Sequence, residues 1–180
     1  MVTDTMLFSR TPVRGVVYRL SAAALVLFLV TVLVSPPAFS QGGDEVARGK
    51  VLFAVGGCAN CHTDSKAKGP MLGGGAAIRT PFGAFYAPNI SSHPEFGIGR
   101  WSKADFIRAM RDGIAPDGGR FYPAFPYTSF TNLTDADMSA IHAYIMSLPP
   151  AAVTSRKHDL RFPFNLRFGM IFWQALFLHK

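Results

Sequence analysis

The stretch Cys58-Ala59-Asn60-Cys61-His62 constrains this chain more than any other feature, because it contains both of the cysteines in 180 residues. On a helical turn, residues at positions i, i+3 and i+4 lie on one face. Both sulfur atoms and the imidazole can therefore meet a single ligand. This spacing predicts covalent attachment of one haem c, with thioethers from Cys58 and Cys61 and an iron bond from His62.

Three other chemistries compete for the same five residues. A thioredoxin-like redox pair needs a βαβ surrounding, which the sequence pattern does not provide. Half of a zinc site needs two further ligands, and the other histidines are scattered along the chain. A disulfide across two residues closes too small a loop to stabilise the fold much. Haem is favoured, and a haem-free thiol-disulfide oxidoreductase stays an alternative.

The first 40 residues have the layout of a secretory signal. Residues 20–34 are uncharged and mostly apolar, three arginines precede them, and the small-residue stretch Ala38-Phe39-Ser40 follows. The apolar run is shorter than the roughly 20 residues of a typical membrane span. We therefore predict a signal peptide over 1–40, with an uncleaved anchor as the alternative, and a periplasmic location for the rest.

The formal net charge is +7, part of which belongs to the arginines near the N-terminus. A basic surface can steer an acidic protein partner or lie near anionic lipid. No basic run with interleaved aromatic residues is present, so the sequence argues against nucleic acid as a partner.

The exported chain reads as mostly α-helical. A helix is predicted to end just before Cys58, and Gly49 lies on the same face of it as Phe53, where another helix could approach closely. Two more helices are predicted over 102–113 and 134–148, both with capping-box residues at their starts. Residues 63–100 are rich in Gly, Pro, Asn and Ser and are expected to form a long loop. Helices joined by such loops make a poor core, and a buried porphyrin would supply the missing apolar centre.

Two regions of the exported chain are distinguished by composition. Residues 41–150 form the predicted haem domain. Residues 151–180 form a basic and aromatic C-terminal extension, which looks helical from about Asn165. The aromatic content of 165–180 is high for a free surface, so this segment is expected to dock onto a partner subunit or the membrane interface.

Longer motifs give the chain a family resemblance. The segments "RGKVLFAVGGCANCHT", "TPFGAFYAPNIS", "GIGRWSKADFIRAMRDGIAPDGGRFYPAFPYTSF" and "LTDADMSAIHAYIMSLPP" resemble one haem module of the cytochrome c subunits of periplasmic alcohol, sugar and gluconate dehydrogenases. The tail "LRFPFNLRFGMIFWQALFL" resembles the segment that follows the first haem module in those proteins. The resemblance implies a mostly helical cytochrome c fold. It also implies one-electron transfer from a dehydrogenase subunit towards quinone or a terminal oxidase. Relatives of this type continue into further haem modules, whereas a chain ending at Lys180 is expected to carry one haem and need not be an enzyme by itself.

The resemblance leaves the second axial ligand of the iron unknown. Such modules tend to carry a methionine in the "YPAMPY" motif or just before the cap of the last helix, and these places hold Phe125 and Leu133 here. Met146 and Met138 are the remaining candidates, with Met71 in the long loop as a third. An open sixth position would suit a ligand sensor or a peroxidase-like enzyme.

Five further residues are expected near the haem. The carbonyl of Pro70 is expected to bind the second nitrogen of the imidazole and orient the ring. Trp101 and Tyr144 are expected as pocket walls, with plain helix packing as the competing interpretation. Arg79 and Arg120 are candidates for pairing with the haem propionates, although both also suit a solvated surface.

Overall fold

The computed structural model describes residues 41–179, and the predicted signal or anchor segment lies outside this range. The elements in chain order are α1 (Gln41–Val55), α2 (Cys58–His62), β1 (Ala77–Thr80), β2 (Gly83–Tyr86), α3 (Lys103–Asp112), α4 (Tyr127–Phe130), α5 (Asp135–Ser147), β3 (Asp159–Leu160) and α6 (Gly169–Phe177). Within 41–179, no helix has the length and apolar content needed to cross a membrane.

The two capped helices begin where the sequence predicts. Ser102 accepts a hydrogen bond from the backbone N–H of Asp105, whose carboxylate accepts from the backbone N–H of Ser102, so α3 starts with a complete capping box. The hydroxyl of Thr134 likewise accepts from the backbone N–H of Asp137 at the start of α5. These contacts satisfy amide groups that have no partner within the helix itself.

Helices α1 and α5 pack against each other at Gly49. A Cβ added at Gly49 would overlap the backbone carbonyl of Ala140, so only glycine permits this close approach. One turn further along α1, the ring of Phe53 packs edge-on against Tyr144, with centroids 5.2 Å apart. The buried hydrophobic core behind this crossing consists of Phe53, Leu72, Ile98, Phe106, Met110, Met138, Ile141 and Ile145.

The prediction of an unbroken loop over 63–100 is wrong in one part. Strands β1 and β2 form an antiparallel hairpin within it, with Ile78 opposite Phe85, and β3 pairs with β2 from the C-terminal extension. Gly83 allows that second pairing, because its φ of 126° suits glycine and an added Cβ would overlap the backbone of Asp159. The fold is therefore mainly helical with a small three-stranded sheet.

The C-terminal extension ends in α6, which starts at Gly169 rather than near Asn165. Gln174 is its one fully buried side chain in the described structure, and Trp173 packs edge-on against Tyr127 at 6.3 Å. Most of the large apolar side chains of this region are exposed, namely Phe162, Phe164, Leu166, Phe168, Ile171, Phe172, Leu176 and Phe177. Helix α6 thus contacts the rest of the described structure through Gln174 and Trp173, and it exposes a broad apolar face.

Candidate haem-binding site

The Cys-x-x-Cys-His stretch forms the short helix α2, directly after a sharp turn from α1. Gly57 makes this turn with φ 64°, a left-handed conformation that suits glycine. The backbone N–H of Thr63 donates to the carbonyl of Ala59 at 3.0 Å and closes the turn. Cys58, Cys61 and His62 therefore project from one short helix, which is the arrangement that the spacing requires.

Both cysteines are free thiols, with Cys58 partly buried and Cys61 exposed. Burial raises the pKa of the Cys58 thiol, and the neighbouring Cys61 adds to this effect against a backbone hydrogen bond that lowers it. A thiol-disulfide oxidoreductase needs a lowered pKa, because the thiolate is its nucleophile. The sheet in the described part of the chain is antiparallel rather than part of a βαβ unit. Both observations argue against the thiol-redox alternative.

His62 is oriented by a hydrogen bond on one of its two nitrogens. Its Nδ1 lies 2.7 Å from the carbonyl oxygen of Pro88. Because a carbonyl can only accept, Nδ1 carries the proton and Nε2 keeps its lone pair. Burial lowers the pKa of His62, against the opposing effect of the Pro88 bond, so the ring is held neutral. A neutral, oriented imidazole is the form that binds iron.

The expectation that Pro70 supplies this carbonyl is wrong. The Pro70 carbonyl accepts from the backbone N–H of Gly73 at 3.0 Å and closes a turn in the loop. The chain then folds back so that Gly74 donates to the carbonyl of His62 at 2.8 Å, and Pro88 reaches the imidazole. The sequence offers no local signal for this bond, because its partners are 26 residues apart.

The two predicted pocket walls lie at the core. Trp101 is partly buried and packs against the hydrophobic cluster. Tyr144 is also partly buried and pairs with Phe53 at the α1–α5 crossing. This position fits the helix-packing interpretation of Tyr144, and the role of either residue as a haem wall stays a prediction.

The two predicted propionate partners lie in different surroundings. Arg120 donates through its guanidinium to the side-chain oxygen of Gln174 on α6. Arg79 is exposed on β1, opposite Ala84. The structure gives Arg120 a partner within the protein, and pairing of either arginine with a propionate stays a prediction.

A cluster of aromatic rings follows α3, and residues 121–133 are named here the aromatic loop. Phe125 contacts Phe121 and Phe130, with ring centroids 5.6 and 6.0 Å apart. A Cβ added at Gly56 would lie 3.9 Å from the ring of Phe130 and 3.6 Å from the sulfur of Cys58. The aromatic loop therefore borders the helix turn that carries the first cysteine.

The methionines do not single out an iron ligand. Met138 is completely buried within the helical core, where it fills space between α1, α3 and α5. Met146 is partly buried against the same cluster, and Met71 is 45% exposed in the loop after Pro70. Phe125 and Leu133 are partly buried and pack against the core, and neither side chain can bind iron.

A zinc site made only of side chains has no candidate ligand set in residues 41–179, because no group of three or more His, Cys, Asp or Glu there could hold a metal ion. The donors that are present fit haem c instead. Two unbridged thiols and one neutral imidazole project from one short helix beside apolar and aromatic side chains. Cys58 and Cys61 would hold the porphyrin, and His62 would bind the iron.

Comparisons with known proteins agree with this geometry. The Cytochrome c family model matches residues 46–149. The chain is 50% identical over 148 residues to one of the subunits of nicotinate dehydrogenase from Pseudomonas putida, covering 82% of this chain and 12% of that protein. It is 39% identical over 171 residues to a diheme cytochrome c-type protein of Cereibacter sphaeroides, covering 93% of this chain and 58% of the relative.

A third relative is the fructose dehydrogenase cytochrome subunit of Gluconobacter japonicus, with 38% identity over 140 residues, or 77% of this chain and 29% of that subunit. The chain thus spans between 12% and 58% of the length of these three relatives. The family domain implies a covalent haem c, in agreement with the free thiols and oriented imidazole of α2. The match covers more than half of the sequence, and the chain belongs to the Cytochrome c family.

Proposed function

We propose that this protein is an exported one-electron carrier with a single haem c, which passes electrons from a periplasmic dehydrogenase subunit towards quinone or a terminal oxidase. The observation that carries the proposal is the short helix α2, which brings Cys58, Cys61 and His62 together, with Nδ1 of His62 lying 2.7 Å from the Pro88 carbonyl oxygen. When bound, haem c supplies an iron that gains and loses one electron. The chain supplies attachment, ligation and orientation through α2.

The dehydrogenase partner is inferred from the relatives. Their names include cytochrome subunits of fructose, gluconate and quinone-dependent alcohol dehydrogenases. A single haem is inferred from the sequence, which contains one Cys-x-x-Cys-His stretch. The matched region covers 58% of the diheme relative. The number of haems in a complex that contains this chain therefore also depends on the other subunits of that complex.

Docking through residues 165–180 is a further part of the proposal. Phe172, Leu176 and Phe177 are each more than half exposed on α6. Exposed apolar patches of this kind mark sites of protein or membrane contact. We expect this face to lie against a partner subunit or the membrane interface.

A second candidate function is binding of a small ligand at the iron. It is favoured by the aromatic loop, which borders Cys58 and contains no methionine, histidine or charged residue. An iron without a second protein ligand is open to carbon monoxide, cyanide or peroxide. Such a protein would act as a ligand sensor or a peroxidase-like enzyme.

The test is a mass and absorbance measurement on protein exported from a host with a cytochrome maturation system. We expect a mass increased by one haem and oxidised and reduced spectra of a c-type cytochrome, both lost when Cys58→Ser and Cys61→Ser are combined. Reduction by a dehydrogenase and resistance to carbon monoxide would support the electron carrier. Carbon monoxide binding would favour the second candidate. A colourless chain with the mass of the bare polypeptide would contradict both.

A further inference from the structure

The peptide that contains the Pro88 carbonyl is held tightly on one side by residues 73–75, three glycines that are named here the glycine loop. A Cβ added at Gly74 would lie 2.6 Å from the carbonyl carbon of Pro88 and 2.7 Å from the nitrogen of Asn89. Gly74 has φ 78°, and the adjacent Gly75 donates to the carbonyl of Ala87 at 2.9 Å. The backbone around Pro88 is therefore in direct contact with Gly74, and any larger residue at position 74 would overlap it.

Asn89 holds the same peptide from the other side. It is 3% exposed, and its side-chain Nδ2 donates to the carbonyls of Ala151 and Val153 at 2.7 and 2.8 Å. Its backbone N–H donates to the hydroxyl of Ser155 at 2.9 Å, and its Oδ1 accepts from the backbone N–H of Ser91 at 2.9 Å. The residue directly after Pro88 is thus fixed by both its backbone and its side chain.

Three of these bonds come from residues 151–158, which are named here the strap. The strap lies after residue 149, where the family match ends. Two further contacts hold the strap in place. The backbone N–H of Ala151 donates to the hydroxyl of Ser91 at 2.9 Å, and the guanidinium of Arg156 lies 3.9 Å from the centre of the Tyr86 ring. A segment outside the matched family domain therefore anchors the loop that reaches the imidazole.

We propose that Asn89 and the strap are positioning elements for the histidine that binds the haem iron. By fixing Pro88, they hold its carbonyl 2.7 Å from Nδ1 of His62. A close carbonyl on the second nitrogen raises the basicity of an imidazole ligand and fixes its orientation. A more basic ligand stabilises the ferric iron relative to the ferrous iron, so the strap sets the reduction potential. His62, Pro88, Asn89 and the strap are named here the proximal network. The inference rests on the proposed haem function.

The experiment uses the full chain with its haem and compares three variants with the parent. Asn89→Ala removes all the side-chain hydrogen bonds of Asn89. Ser155→Ala removes only the hydroxyl that accepts from the backbone N–H of Asn89. Ser92→Ala is the matched control, because Ser92 donates from the same loop to the carbonyl of Leu148, which lies outside the proximal network. The midpoint potential is measured by potentiometric titration, and the free energy of unfolding is measured alongside.

We expect an upward shift of the midpoint potential in Asn89→Ala, a smaller upward shift in Ser155→Ala and no shift in Ser92→Ala. A purely structural role would lower the free energy of unfolding and leave the potential of the folded protein unchanged. Should Asn89→Ala fail to fold, Ser155→Ala decides alone, since Ser155 is exposed. Coloured, folded variants with the parental potential would overturn this inference, whereas a parent without haem would overturn the proposed function itself.

Discussion

The proximal network and the aromatic loop border the same helix turn, and they are built in opposite ways. In the proximal network, Asn89 is hydrogen-bonded to the strap, and the carbonyl of the preceding residue, Pro88, is hydrogen-bonded to one nitrogen of His62. In the aromatic loop, ring contacts connect Phe121, Phe125 and Phe130, and no side chain there is charged. One region orients the imidazole that is proposed to bind the iron, and the other offers apolar surface without a candidate ligand.

The contrast extends to how the C-terminal extension supports each region. Within the proximal network, the strap is joined to Asn89 by three hydrogen bonds, two from the Asn89 side chain and one from its backbone N–H. Helix α6 contacts the aromatic loop at Tyr127, through a 3.2 Å hydrogen bond from Gln174 and through the ring of Trp173. The extension therefore contributes to both sides of the site, and substitutions can test each contribution separately.

The largest effect is expected from placing a methionine in the aromatic loop, which would remove the contrast. In Phe125→Met or Leu133→Met, a thioether in the aromatic loop would be a candidate second ligand for the iron. If the parent binds carbon monoxide, as the second candidate function requires, we expect a new near-infrared band, a raised midpoint potential and loss of that binding, because methionine favours ferrous iron and would occupy the sixth position. The measurements are absorbance and potentiometric titration of the haem-loaded variants.

Phe82→Met is the matched control for this experiment, because Phe82 is 46% exposed at the turn of the β1–β2 hairpin. Its spectrum should match that of the parent. If both loop variants also keep the parental spectrum and potential, the aromatic loop does not face the iron, and the contrast between the two regions has no consequence for ligation.

A smaller effect is expected from removing the anchor of the aromatic loop. Gln174 is 4% exposed, and the two N–H groups of its side-chain Nε2 are shared among three acceptors at 3.2 Å, the carbonyls of Asp112 and Gly113 and the hydroxyl of Tyr127. Gln174→Ala leaves these groups and Arg120 without that partner. We expect the free energy of unfolding to fall by about 1–3 kcal/mol, because several hydrogen bonds are lost and each contributes about 0.5–1.5 kcal/mol. Urea unfolding measures the change.

Leu176→Ser on the same helix provides the comparison, because Leu176 is 67% exposed. It should retain the parental free energy of unfolding and weaken retention on membranes or on a partner subunit. Equal stability of Gln174→Ala and the parent would show that the ring contact between Trp173 and Tyr127 holds α6 without the amide.

The sequence predicts the parts of the molecule whose causes are local. The Cys-x-x-Cys-His turn and the caps at Ser102 and Thr134 depend on residues within four positions of one another, and the structure has the helices that these signals predict. The small residue at Gly49, on the same face as Phe53, predicts a close helix approach, and α5 packs there.

The sequence does not predict the parts whose partners are distant. The bond from Pro88 to His62 spans 26 residues, and the bonds from Asn89 to the strap span more than 60. The strands of the small sheet are only two to four residues long, so they give no sustained alternation of polar and apolar residues. Pro70 has a suitable distance from His62 in sequence, but the position of the carbonyl depends on how the glycine loop folds back.

The smallest effect, a dependence of stability on pH, should arise at His158 in the strap. Its Nδ1 accepts a hydrogen bond from the backbone N–H of Tyr86 at 3.2 Å, which requires an unprotonated nitrogen. Burial, and then the nearby Arg167, lower the pKa of His158 below the 6.5 of a free histidine. As pH falls below 6.5, the unfolded chain takes up a proton before the folded one, so the free energy of unfolding decreases. Urea unfolding from pH 7 downwards measures the slope.

Replacing His158 separates its contribution from that of the other buried histidines. His158→Asn keeps an acceptor and cannot titrate, so it should reduce the acid sensitivity, and the exposed His179→Asn is the control. His142, whose pKa is also lowered by burial, would retain part of the slope. A slope in His158→Asn equal to that of the parent would show that acid does not weaken the proximal network through the strap.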